Sequence, residues 1–346
     1  MAERSVGLGV LGVGLQGEAH VRTFKCVPGC EVVAVADVNA ERAAEVARQY
    51  GVPHAYDNLD ELLANDAVEA VSIVLPDHLH REAGVRAAQA GKHLLMEKPL
   101  ATTVADAEAI VAAAKAAGVK LMVNFSNRWQ LAVKMLRERF SAGAFGKAVY
   151  AYTRLNNTIY VPTGMLKPWS SQTKLPFWLL SHTLDRVRYV WQADPVRVYA
   201  VQHSGVLTSM GFDTPDLYHA TIEWDNGAIG TFESCWILPE TMPSVVDSKM
   251  EFVFEKGAVH VDALAPDIQV VTPEKYSIPS IISYSLDGEP RGFVLEALRH
   301  FVDCVAHDRA PEPSGDDGLL MCRTSAAIVE SAERRQPVEI SGRCSS

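Results

Sequence analysis

Residues 6–17 read VGLGVLGVGLQG and leave few folds open to the chain that contains them. Val6 to Leu11 is an apolar run of the kind buried on both faces in a parallel sheet. Gly12-Val13-Gly14-Leu15-Gln16-Gly17 follows at once, and EAHVRTFKCV continues as a helix. Strand, G-x-G-x-x-G and helix is the context in which this pattern grips a dinucleotide. Gly12 permits the tight turn, Gly14 lets backbone approach a pyrophosphate, and Gly17 lets the helix lie close on the strand. The pyrophosphate then meets N–H groups around Leu15 and Gln16 at the positive end of the helix dipole, each contact contributing about 0.3–1 kcal/mol.

The discriminating residue stands 20 positions past Gly17. Glu31-Val-Val-Ala-Val-Ala reads as a second buried strand and ends at Asp37. A carboxylate there accepts both ribose hydroxyls of an adenosine. A 2′-phosphate about 4 Å from it would cost up to roughly 4 kcal/mol at an effective dielectric near 20. NAD is therefore expected over NADP, although Arg42, one turn into the next helix, offers partial compensation. An ordinary glycine turn with a loop aspartate is the alternative reading.

Composition narrows the class. The chain has 346 residues, enough for two domains, with 48% hydrophobic and 21% charged residues, the balance of a soluble globular protein. A net charge of −10 without a basic cluster speaks against nucleic acid or an anionic membrane as partner. Six cysteines (26, 30, 235, 304, 322, 344) show neither C-x-x-C nor zinc-like spacing and are expected to be reduced thiols in a cytoplasmic protein. The apolar stretch after Arg4 imitates an export signal, but its glycines belong to the first strand. No run of 18 apolar residues suggests a membrane span.

Further strands and helices alternate to residue 124. Asn39 opens AERAAEVARQYG, Asn58-x-x-Glu61 opens DELLAN, and Thr103-x-x-Asp106 opens another alanine-rich helix, each with capping chemistry. The strands Ala70–Leu75, Lys92–Met96 and Lys120–Asn124 complete a doubly wound parallel sheet, the expected N-terminal domain 1–124. In such sheets ligands bind outside the carboxyl ends of the strands. Gly12–Gly17, Asp37, Leu75-Pro76-Asp77-His78-Leu79-His80, Glu97-Lys98-Pro99 and Asn124 are thus expected to share one crevice.

The rhythm changes from 125 to 346. A helix near 128–142 leads to KAVYAYTR; Pro/Ser/Thr-rich chain runs from 156 to 176; PFWLLSHTLDRVRYVW reads as a helix. VRVYAVQ, LYHATIEW, AIGTFESCWI, KMEFVFE, AVHVD and DIQVV are strand-like and separated by turns, and helices near 291–308 and 315–335 follow. The second domain is expected to be α+β with a large, mostly antiparallel open sheet. Its uncovered face carries apolar positions and is expected to build a homodimer or homotetramer.

Gly12-x-Gly14-x-x-Gly17 with His20, Asp37, Glu97-Lys98-Pro99 after a strand, His182-x-x-Asp185 on a later helix and Asp316-Asp317-Gly318 occur in that order. This chain resembles the glucose–fructose oxidoreductase/inositol dehydrogenase family over essentially its whole length. The resemblance implies an NAD(P)-dependent sugar or polyol dehydrogenase, with Lys98 orienting the reacting hydroxyl and Glu97 supporting the nicotinamide ribose. It departs at one place. Family members carry D-x-G-x-H, whereas this chain has Trp178-Leu179-Leu180-Ser181-His182, an indole where the carboxylate should be.

The same residues can be weighed by their chemistry. An ammonium at a strand tip exchanges protons near neutrality only if burial lowers its pKa from about 10.4; a solvated surface lysine is the alternative for Lys98. Imidazole titrates near working pH, which makes His182 the acid/base candidate, with Asp185 beside it at i+3. Trp178, four residues before His182, is expected on the same face, as a wall for a sugar ring or as a core residue. Asn156, Asn157 and Tyr160 are candidate sugar contacts and equally plausible loop residues, and the resemblance implies a place near the cofactor for Trp169. His78-Leu79-His80 lacks a third ligand, so no metal is expected. The reading is an NAD-dependent oxidoreductase acting on a sugar, polyol or related cyclic carbohydrate. A redox-neutral enzyme retaining its NAD, such as a glycoside hydrolase or epimerase, shares every motif; a non-catalytic nucleotide-sensing regulator shares the fold, with intact Lys98 and His182 counting against it and the missing aspartate slightly for it.

Overall fold

A computed structural model describes residues 4–262, 270–272, 276–277, 284–286 and 289–342. The chain divides into two compact units, 1–129 with 281–319 and 130–280 with 320–346. Of the expected run 267–271, residues 267–269 lie outside the described residues, as does Cys344.

The first unit is a six-stranded parallel sheet. Its strands are β1 (Val6–Leu11), β2 (Cys30–Ala36), β3 (His54–Tyr56), β4 (Ala70–Ile73), β5 (His93–Met96) and β6 (Leu121–Val123), in the order β3-β2-β1-β4-β5-β6. The order reverses direction between β1 and β4, which opens a crevice at their carboxyl ends. Helices α1 (Leu15–Phe24), α2 (Ala40–Tyr50), α3 (Leu59–Ala64), α4 (His80–Gln89) and α5 (Val104–Ala117) connect them.

Helix starts differ in a way that matters. Asn39, Asn58 and Thr103 cap α2, α3 and α5, accepting from the N–H groups of Arg42, Glu61 and Asp106 at 3.1, 2.9 and 3.1 Å. The helices that follow the two switch-point strands, α1 and α4, start without a side-chain cap.

The core of this unit is not closed by the first 124 residues. The helix Phe293–Ala306 returns to it, and Leu295, Leu298, Phe301 and Val305 join Val6, Leu8, Val21 and Phe24 in one buried cluster. By order along the chain this helix follows the second domain; by packing it belongs to the first unit, because its amphipathic face finds its apolar partner there.

In the second unit, α6 (Leu131–Ser141) precedes β7 (Ala148–Asn157), α7 (Ser181–Trp191), β8 (Pro195–His203), β9 (Leu217–Trp224), β10 (Ile229–Cys235), β11 (Val246–Phe254) and β12 (Gly257–Asp262). The sheet order is β12-β11-β7-β10-β9-β8, with Val338–Glu339 added at the β8 edge. Only β7 and β10 pair in parallel, so the sheet is mixed and mostly antiparallel. Trp191 of α7 meets Trp224 and Phe252 edge-on at 5.4 and 6.1 Å, which seats α7 on the face lined by Ala151, Ala220, Phe232 and Phe252. On the opposite face Tyr199, Val201, Ile229 and Val253 are 39–46% exposed.

Residues 176–191 are not one regular helix. Pro176–Leu180 forms a wide π-type turn closed by the Ser181 N–H on the Pro176 carbonyl, and α7 starts only at Ser181. A second wide turn, Val161–Met165, lies in the stretch expected to be irregular.

Candidate active site

In the first unit the glycine turn has no slack. A Cβ on Gly12 would stand 2.4 Å from the Val74 carbonyl oxygen, and Gly12 has a φ of +82° that L side chains rarely adopt. A Cβ on Gly17 would stand 1.8 Å from the Gly12 oxygen. Gly14 is the opposite case: a Cβ there meets nothing within 4 Å, and Leu15 and Gln16 beside it are exposed. First-turn N–H groups have no partner inside a helix, so the start of α1 is an open cradle with room for a pyrophosphate. These residues fit a dinucleotide. Leu75 packs against the turn, its Cδ2 lying 2.9 Å from the Gly12 Cβ position, and Leu75 and Pro76 are half-buried.

Asp37 is fixed from both sides. Val13 N–H donates to its Oδ2 at 2.8 Å and Asn39 N–H to its Oδ1 at 2.9 Å. Each oxygen keeps a lone pair for a ribose hydroxyl. Arg42 is committed elsewhere: Nε donates to the Val13 carbonyl at 3.0 Å and Nη1 to Glu45 at 2.9 Å, while Nη2 is paired with Glu18. Glu18 also accepts from the Tyr50 hydroxyl at 2.8 Å, and this bond together with Arg42 holds its carboxyl below the usual range.

At the tip of β5 two charged side chains, Glu97 and Lys98, are half-buried. Glu97 Oε1 accepts from Asn124 Nδ2 at 2.6 Å and lies 3.0 Å from His20 Nε2; the Lys98 backbone N–H donates to Oε2 at 3.1 Å. Burial opposes ionisation of Glu97, but His20, Lys98 and Asn124 outweigh it and hold the carboxyl below its ordinary value. Burial lowers the Lys98 ammonium, and the Glu97 and Asp77 carboxylates oppose that shift without cancelling it. Lys98 is therefore not a solvated surface lysine, and its bond to Pro99 is cis.

His80, expected among the cofactor contacts, is fully buried and occupied. Its Nδ1 lies 2.9 Å from the Pro99 oxygen and its Nε2 3.0 Å from the Leu75 oxygen, so the ring clasps the turns that follow β4 and β5. His78 is half-buried with Nδ1 4.0 Å from Asp77 Oδ1. Among the described residues no group of three His, Cys, Asp or Glu could hold a metal ion.

In the second unit, α7 carries His182 and Asp185 at i,i+3, the first half-buried and the second fully buried. Beside Asp185, Arg186 is buried, donates from Nε to the His182 carbonyl at 3.3 Å, and is pushed down to about 10 by burial. Trp178 lies in the wide turn, so its four-residue spacing to His182 no longer marks a vertical stack. Its ring meets Trp169 edge-on at 5.5 Å instead, and both indoles are half-buried.

Asn156 does not stand with them. It shares the face of Tyr152 and Arg154, opposite the one α7 covers. Its Nδ2 donates to Glu233 Oε1 at 3.0 Å and its Oδ1 accepts from Cys235 N–H at 2.8 Å. The Tyr152 hydroxyl donates to the same carboxylate at 2.8 Å, and burial and Glu233 push it up to about 12. Asn156 thus ties β7 to β10. Tyr160 is exposed.

Asp77, within the expected crevice stretch, acts on Lys98 as an opposing charge. One participant is not evident from the motifs: Ser72, fully buried on β4, lies 2.9 Å from His20 Nδ1. The available signal for Ser72 is a lone hydroxyl in the apolar strand AVSIVL.

Comparison with known proteins identifies relatives of both units. A family model described as "Oxidoreductase family, NAD-binding Rossmann fold" matches residues 6–125, and one described as "Oxidoreductase family, C-terminal alpha/beta domain" matches 137–340. The chain is 27% identical over 342 residues to scyllo-inositol 2-dehydrogenase (NAD(+)) of Bacillus subtilis, covering 98% of this chain and 97% of that one. It is 27% identical over 323 residues to 1,5-anhydro-D-fructose reductase of Ensifer adhaerens, covering 90% and 92%. A solved structure of levoglucosan dehydrogenase in complex with NADH superposes with a TM-score of 0.85 at 22% identity, covering 98% of this chain and all of that one.

The turn yields a separable pair of variants. Gly14→Val is expected to leave the melting temperature unchanged and to weaken NAD binding at least about tenfold, a loss of roughly 1.4 kcal/mol or more. Gly17→Ala is expected to lower the melting temperature itself. Calorimetric titration and thermal unfolding separate the two; equal melting losses for both would refute the open-cradle reading.

Proposed function

The chain belongs to the glucose–fructose oxidoreductase/inositol dehydrogenase family of NAD-binding oxidoreductases, and on that premise we propose that it oxidises or reduces a ring carbinol of a sugar, polyol or related cyclic carbohydrate. The observation that carries this reading is the half-buried Lys98 at the strand tip, its ammonium lowered by desolvation against the opposing pull of the Glu97 and Asp77 carboxylates. When bound, NAD takes up or returns the hydride. Lys98 holds the reacting hydroxyl and, with its ammonium lowered, exchanges a proton with it. His182 serves as acid and base, Asp185 orienting its ring from the next turn of α7. Trp178, steadied by the edge-on contact with Trp169, offers a flat apolar wall on which a pyranose ring stacks. The names of the relatives, an inositol dehydrogenase and an anhydro-sugar reductase, support this substrate class. Cys26, Cys30, Cys235 and Cys304 are free thiols, which supports a cytosolic setting.

Screening sugars and polyols for NADH absorbance tests the reading. With the substrate found, Lys98→Ala and His182→Ala are each expected to lower kcat about 10²- to 10⁴-fold, while NAD still binds because Gly12–Gly17 and Asp37 are untouched. Full activity in either variant removes that residue from the mechanism. Conversion of glycosides with no net NADH would assign the redox-neutral chemistry instead.

Cofactor choice follows from Asp37 and the commitment of Arg42 to Glu18 and Glu45. Solvent screening reduces the like-charge cost of a 2′-phosphate to about 1–3 kcal/mol, so NAD is expected to bind about 10- to 100-fold more tightly than NADP. Parallel titrations check this, and equal affinities would contradict it.

The exposed apolar residues Tyr199, Val201, Ile229 and Val253 support assembly of a homodimer or homotetramer through the open sheet face. Light scattering at micromolar concentration is expected to give at least twice the 37.7 kDa chain mass; a monomer would rule the interface out.

A further inference from the structure

Four polar side chains in the first unit, three of them buried and Glu97 half-buried, form one chain of contacts. Ser72 Oγ lies 2.9 Å from His20 Nδ1, His20 Nε2 lies 3.0 Å from Glu97 Oε1, and Asn124 Nδ2 donates to that same oxygen at 2.6 Å. Ser72 and His20 are at most 1% exposed. The four sit on two elements and just past the ends of two more: Ser72 on β4, His20 on α1, Glu97 after β5 and Asn124 after β6. The contacts assign the protons. A carboxylate only accepts, so Nε2, in ion-pair contact with Glu97 Oε1, is the ring nitrogen placed to carry hydrogen toward it. Among the described residues, the acceptor within reach of the buried Ser72 hydroxyl is His20 Nδ1. In this arrangement Nδ1 accepts from Ser72 and Nε2–H points toward Glu97.

We propose that His20 is a positioning residue for Lys98: its Nε2–H holds the Glu97 carboxylate ionised and aimed, and Glu97 in turn keeps a negative charge beside the Lys98 ammonium. This rests on Lys98 acting as proposed above. The groups that face Lys98 are Glu97 and Asp77, and those that face Glu97 are His20, Lys98 and Asn124. With the Nε2 donor lost, Glu97 gains a proton more easily. Lys98, deprived of part of its neighbouring charge, then loses its own proton at lower pH. His20 also lies six residues after Gly14 on the helix that opens at the pyrophosphate cradle, so one rigid element carries both the cofactor's grip and the Glu97 donor.

Two substitutions separate this role from a packing role. His20→Gln can place an amide N–H near the Nε2 position, facing Glu97; His20→Asn can reach Ser72 but not Glu97. The first measurement needs neither cofactor nor substrate. Competitive acetylation of the ligand-free protein across pH, read by mass spectrometry, gives the titration curve of Lys98. The expected result is a curve close to wild type in His20→Gln and a shift of about one unit to lower pH in His20→Asn. With the substrate found, the pH profile of kcat is expected to move in the same way, with NAD affinity held within about twofold in both. Identical Lys98 curves in both variants would overturn the proposal, as would wild-type protein whose His20 nitrogen resonances show the Nδ1–H tautomer. If His20→Asn does not fold, that tautomer decides the matter alone. A Lys98→Ala variant that keeps its activity would refute the mechanism above and leave the acetylation result standing, so the two failures are distinguishable.

Discussion

The first unit depends on how near α1 comes to β1. With Gly17 so close to the Gly12 oxygen that a methyl group cannot enter, the helix starts directly at the strand tip. That closeness places the Val13 N–H against Asp37 and the Val13 carbonyl against Arg42, which joins the turn to the next strand–helix unit. It also sets His20 against both Ser72 and Glu97. A wider turn would separate all four contacts together. The glycines matter here less for flexibility than for the absence of volume.

Polar groups at the strand tips are held before any ligand arrives. Asp37 accepts from two backbone N–H groups, Glu97 from Asn124 and Lys98, and His80 bridges two backbone carbonyls. A group whose geometry is already set loses little freedom on binding. Polar residues of the second unit serve another end. Arg154 pairs with Asp247 at 2.9 Å and Glu233 takes bonds from Tyr152 and Asn156, so these side chains stitch β11, β7 and β10 together. Their chemistry resembles that of a binding site, but their partners are neighbouring strands.

What could be read from the residues was local or tied to a fixed spacing. Asn39, Asn58 and Thr103 announce their helices because a cap acts within three residues. Alternating strands and helices fix the parallel sheet, and the positions of Asp37 and Lys98 follow from strand tips. Long-range pairings were not readable. Asn156 looks like a loop residue until β7 pairs with β10, which puts it beside Glu233, 77 positions away. Ser72 and His20 are 52 residues apart. The wide turn at Pro176–Leu180 escapes a periodicity of 3.6, because one added residue shifts the phase without changing the composition.

The returning helix also gives the chain a history during synthesis. Strand β6 ends at Val123, yet Phe301 and Val305, which belong to the same buried cluster as β1, emerge roughly 180 residues later. At about 5–20 residues per second the nascent sheet waits roughly ten to forty seconds for its last piece. Throughout that interval the apolar surface of β1 and α1 that the helix will cover is without its native partner. The second unit, by contrast, is made almost without interruption and lacks only the end of the chain. A protein so ordered completes its nucleotide-binding half late, and chaperones that shield exposed apolar surface have a defined window in which to act on it.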